Sequence, residues 1–92
     1  MKIVVNKCYG GFGLPADVAE ELHTSPFDDR RCIRTDIWLV KQVEENPVKF
    51  KDDSTELGVV EIPNEATDWI VVDYDGKERV YYTANGKILR AT

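Results

Sequence analysis

Residues 68–91, DWIVVDYDGKERVYYTANGKILRA, restrict the fold more than any other stretch. β-Branched and aromatic residues alternate with polar ones there, and the run is broken by Asp75-Gly76 and Asn85-Gly86. Both dipeptides tolerate the positive φ angles of a two-residue type I′ turn. Two such turns between three alternating runs specify an antiparallel meander. ELGVVEIP (56–63) predicts a further strand with Gly58 at a bulge, and KIVVNKC (2–8) a strand buried on at least one face.

Helical periodicity occupies the space between. PADVAEELH (15–23) predicts a short helix, with Pro15 in the first turn, acids at Asp17, Glu20 and Glu21, and Val18 paired with Leu22. RTDIWLVKQVEEN (34–46) predicts a second, with Thr35 as N-cap and Asp36 just inside it. Ile37, Trp38, Val40 and Val43 form its apolar face, and Asn46-Pro47 ends it. Trp38 and Trp69 are both expected in the core. TSPFDDRRC (24–32) reads as a connection and KFKDDST (49–55) as a loop tip. The sum is one α+β domain over residues 1–92: a mainly antiparallel sheet of four or five strands with two helices, and no repeat or linker.

Ninety-two residues with 42% hydrophobic content and nine aromatics suffice for a modest core. No apolar run reaches the length of a membrane span, and the opening residues lack a secretory signal pattern. Two cysteines, Cys8 and Cys32, make no disulfide framework, so the expected compartment is the cytoplasm and no membrane partner is expected. The net charge of -5 argues against direct nucleic-acid binding, which needs a basic face. Charge is uneven: residues 1–34 sum to zero, and the whole acidic excess lies beyond residue 35.

The chemistry-bearing candidate is the glycine-rich turn YGGFGL (9–14) between the first strand and the first helix. Gly11 to Ala16 fits a G-x-G-x-x-A string, with Asp36 twenty residues on. A dinucleotide fold needs that acid at the end of a second parallel strand, whereas Asp36 heads a helix, so the match is one of spacing alone. A Walker loop is excluded, because no Gly-Lys-Ser/Thr follows. Two readings remain. In the first, the backbone amides of Gly10, Gly11 and Gly13 cradle an anion, Tyr9 and Phe12 stack on a ring, and Arg30, Arg31 and Arg34 clamp a phosphate. In the second, the glycines serve positive φ, Tyr9 and Phe12 fill the core, and the arginines pair with Asp28, Asp29 and Asp36.

Cys8 and His23 suggest a nucleophile and base, but no fixed spacing links them, and a buried structural cysteine is the simpler reading. Two Cys and one His share no zinc spacing. The expectation is a protein without catalytic residues, metal or cofactor.

KIVVNKCYGGFGL, RTDIWLVKQVEE and VVEIPNEATDWIVVDYDGKERV together resemble a family of small, uncharacterised proteins of bacteriophages and prophages. The resemblance is carried by Asn6, Cys8 to Leu14, Arg34, Asp36, Glu61 to Pro63 and Asp73 to Gly76. It departs at Pro15, where the family carries Ser, which removes a hydroxyl N-cap. The resemblance implies an accessory phage product in the bacterial cytoplasm, acting in counter-defence. Two functions follow as expectations. One is non-catalytic binding of a phosphorylated, nucleotide-like ligand by Tyr9–Gly13 with Arg30, Arg31 and Arg34, in a shallow site that a homodimer would deepen. The alternative is an acidic inhibitor whose Asp52, Asp53 and Glu56 face a basic surface of a host defence protein.

Overall fold

The computed structural model describes residues Met1 to Ala91. They form a single α+β domain with five strands in two antiparallel sheets. β1 (Lys2–Asn6) pairs with β2 (Leu57–Glu61), Ile3 facing Val60 and Val5 facing Gly58. β3 (Asp68–Tyr74), β4 (Lys77–Ala84) and β5 (Lys87–Arg90) form the expected meander. Its turns take the positive φ that the dipeptides predict, at Asp75, Gly76, Asn85 and Gly86. The helical part is α1 (Ala16–Glu21), α2 (Arg31–Arg34) and α3 (Ile37–Glu45), with a 3₁₀ turn over Pro47–Phe50.

The β1–β2 ribbon is the middle of three layers. Ile3, Val5, Val60 and Ile62 point one way, onto Trp69 and Val80 of the meander. Val4, Leu57 and Val59 point the other way, onto Val18, Ile33, Leu39, Val40, Val43 and Phe50. The unbroken apolar run Ile3-Val4-Val5 is thus explained: a strand covered on both faces has no polar alternation.

Several expectations need correction. The strands belong to two sheets rather than one, because the ribbon packs face to face on the meander instead of joining its edge. The predicted helix 34–46 starts three residues later, as α3, and a separate turn of helix, α2, begins at Arg31 inside the stretch read as a connection: Asp36 is the N-cap of α3, its carboxylate accepting from the Leu39 amide at 2.9 Å. Thr35 instead closes α2, its hydroxyl donating to the Arg31 carbonyl. Trp38 and Ile37 lie on the solvent side of α3, while Trp69 is in the core. Gly58 keeps regular pairing and is no bulge; the space where a Cβ would stand is filled by the Lys7 side chain.

β1 has an edge that no strand covers. Its outward groups meet two side chains: the Val4 carbonyl accepts from Arg34 Nη1 at 3.1 Å, and the Asn6 amide donates to Glu78 Oε1 at 2.7 Å. Arg34 and Glu78 hold each other by two hydrogen bonds, at 2.8 and 2.6 Å, with side chains only 4% and 3% exposed. A bidentate ion pair therefore substitutes for a neighbouring strand.

Candidate functional site

The glycine-rich stretch is a joint between three loops. Gly10 and Gly11 both have positive φ, at 147° and 142°. A Cβ on Gly10 would overlap the Ser54 carbonyl, and one on Gly76 would overlap the backbone of Gly10 and Gly11. The Gly10 amide donates to the Asp75 carbonyl at 3.0 Å, and the Thr55 hydroxyl donates to the Gly11 carbonyl at 3.0 Å. The missing side chains let backbone touch backbone. Asn6 ties the same region from beneath. Its buried side chain donates to the carbonyls of Gly76 and Cys8 and accepts from the Glu56 amide.

The eight residues expected to bind a ligand do not converge on one point. Arg34 lies over the Phe12 ring at 4.5 Å, and its Nε bonds the Asp29 carbonyl at 2.6 Å. With Val4 and Glu78 also engaged, four of the five Arg34 N–H groups have partners and the side chain is buried, so Arg34 closes the β1 edge rather than facing a phosphate in solvent. Arg30 forks onto Asp28. Their contact, helped by the Thr24 hydroxyl, holds the Asp28 carboxyl far below the ordinary carboxylate range. Arg31 pairs with Asp68 at 2.9 Å, bonds the Trp69 carbonyl and stacks over the Trp69 ring at 4.4 Å. Phe12 packs on the helical core, whereas Tyr9 stands out at 61% exposure.

The other candidates are placed as follows. The Cys8 thiol donates to Asn6 Oδ1 at 3.6 Å, and Cys32 is exposed. His23 takes a left-handed conformation after α1, where the Thr24 amide closes the helix onto the Ala19 carbonyl. Among the described residues no group of three His, Cys, Asp or Glu is placed to hold a metal ion. No helix among them is long and apolar enough to cross a membrane. Of the acids expected to face a basic partner, Asp52 accepts from the Ser54 and Thr55 amides, which lowers its pKa, and Glu56 pairs with Lys51.

A different convergence emerges beside Tyr9. Lys7, Lys77, Arg79 and Arg90 line a hollow of about 330 Å³ with Val5 and Glu78. Glu78 is the acid of that lining, and its carboxylate is engaged by Arg34. Lys77 lies 5.5 Å from the centre of the Tyr9 ring. Sequence reasoning missed all four: Lys77, Arg79 and Arg90 because it summed charge over residues 35–92, and Lys7 because it was lost in the neutral sum over 1–34. Summing over 77–92 alone gives four cations against one acid, which would have found three of them.

No protein-family model matches the chain, and comparison with curated proteins and with solved structures returns no match.

Proposed function

We propose that this chain is a non-catalytic binding protein for a phosphorylated, nucleotide-like ligand. The observation that carries the reading is the cation-lined hollow beside the exposed Tyr9 ring. The cations would hold phosphate and the ring would take a base on its face. Its volume lies at the lower end of small-molecule sites, which run from about 300 to 1,000 Å³. The glycine joint contributes indirectly, by holding Tyr9 against the 75–77 turn through the Gly10–Asp75 bond. The resemblance to phage proteins supports an accessory, counter-defence role in the bacterial cytoplasm.

The test is a thermal-shift and calorimetric panel of mononucleotides and their non-phosphorylated nucleosides. A ligand at one hundred times its Kd adds about 2.7 kcal/mol, a rise on the order of 10 °C for a domain this small. Binding should require the phosphate and be lost in Lys77→Ala and Tyr9→Ala. Equal binding by nucleosides, or retention in both variants, would remove this reading.

A further inference from the structure

The β3–β4–β5 meander has a second face that no other described element covers. Strand alternation and register put Ile70, Val72 and Tyr74 of β3 on that face with Lys77, Arg79, Tyr81 and Thr83 of β4 and Ile88 and Arg90 of β5. The inward set, Trp69, Val71, Val80 and Tyr82, packs on the ribbon. An open antiparallel face is ordinarily polar. This one presents Tyr74 at 68% exposure and Ile88 at 75%, with Ile70 and Val72 also exposed.

Its aromatic residues and cations are not scattered. Tyr74 faces Lys77 across the β3–β4 pair, and Tyr81 faces Arg90 across the β4–β5 pair. Tyr9, joined to the same end of the sheet through Asp75, lies against Lys77. Each of three rings therefore has a cation beside it, and Arg79 stands between Lys77 and Tyr81 on β4. Same-face residues along a strand are about 6.7 Å apart, a step that an extended nucleotide chain can follow. Three of the acids nearby have partners. Asp68, at the far end of the face, is paired with Arg31. Asp73 points to the inner side and accepts from the Gly76 amide, and Glu78 points inward onto Arg34. Asp75 is the acid of the turn itself.

We infer that this face, continuous with the hollow, is a platform for single-stranded nucleic acid, tolerant of base sequence. This inference rests on the proposed nucleotide site and extends it from one nucleotide to several. A ring for each base and a cation for its phosphate is the unit that strand-binding sheets repeat. The chain's net charge of -5 hides this, because it sums the acids of every element. A second copy of the chain is a poorer occupant, since stacking two such faces brings Lys77, Arg79 and Arg90 against their own counterparts.

The test is fluorescence anisotropy of labelled eight-nucleotide oligothymidylate and oligouridylate, competed by the mononucleotide and by a duplex of equal length. The single strands should bind at least tenfold tighter than the mononucleotide and in preference to the duplex. Three phosphate contacts would weaken binding about twenty-fold between 50 and 200 mM salt. Tyr74→Ala and Tyr81→Ala should each cost roughly five- to 150-fold, and Arg79→Ala should lower the salt slope. Tyr74 is exposed, so its variant should keep the parent Tm and report on binding alone. Mononucleotide binding without any gain from length would overturn the platform and leave the smaller site standing. Silence toward every nucleotide would remove both. Equal binding of the duplex, or sedimentation as a dimer with no oligonucleotide bound, would overturn the platform.

Discussion

Removing the Arg34–Glu78 pair should destabilise the protein even when both charges are removed together. An ordinary buried ion pair replaced by apolar side chains is often neutral or stabilising, because the desolvation penalty disappears with the charges. Here the pair also serves the Val4 carbonyl and the Asn6 amide on the uncovered β1 edge. Arg34→Met or Glu78→Leu alone leaves a buried charge without its partner and should cost about 3–5 kcal/mol. With an unfolding entropy of about 190 cal/mol/K for this length, a loss of about 4 kcal/mol lowers Tm by about 20 °C. The double variant relieves the charge but leaves the two buried β1 backbone groups without partners, at about 1–3 kcal/mol each. It should therefore stay about 2–6 kcal/mol below the parent. Circular dichroism with urea and heat, arranged as a double-mutant cycle, measures all four corners. A double variant as stable as the parent would refute the claim that these side chains stand in for a strand.

Three other outcomes are expected. Gly10→Ala and Gly76→Ala should each cost clearly more than Gly86→Ala, because the first two meet backbone while Gly86 opens on empty space; equal costs of about 1 kcal/mol, the strain of positive φ alone, would refute the three-loop joint. Asp36→Ala should cost about 1 kcal/mol as the loss of a helix cap, and Thr35→Ala less; urea midpoints would reverse that order if Thr35 were the cap. The carboxyls of Asp17, Asp28, Asp52 and Asp68 all have folded pKa values below the ordinary carboxylate value, near 3.9. Their stabilisation is complete above about pH 5 and is lost as pH falls through 4 toward the lowered values. Asp28→Asn should thus be less stable at neutral pH and show a shallower acid limb, so parallel limbs in urea titrations would count against the Arg30–Asp28 contact.

The meander was legible because its information is local: Asp75-Gly76 and Asn85-Gly86 specify their turns without reference to the rest of the chain. The layer order was not. Ile3-Val4-Val5 signals a strand buried on two sides, but which elements cover it depends on contacts dozens of residues away. The glycine stretch was half legible. Its composition shows that the backbone needs freedom at Gly10, while the reason, the approach of Ser54 and Gly76, exists only in three dimensions. The arginines of residues 30–34 were read as a group because they are adjacent, yet helix α2 and its N-cap Arg30 send them to separate partners, Asp28, Asp68 and Glu78. The basic face was hidden by an average taken over too long a window.

The placement of β1 in the middle layer also sets an order of events in folding. β1, made before the other four described strands, pairs with residues 57–61, and its other edge is closed by a bond spanning 72 residues, from Asn6 to Glu78. Neither core can close without it: the helical core waits for Leu57 and Val59, and the core against the meander waits for Trp69 and Val80. The meander is made last, but its contacts are close in sequence and can form as soon as it emerges. Ile3, Val4 and Val5 meanwhile remain exposed on a nascent strand with both edges open, which makes this segment the point most prone to wrong pairing during synthesis.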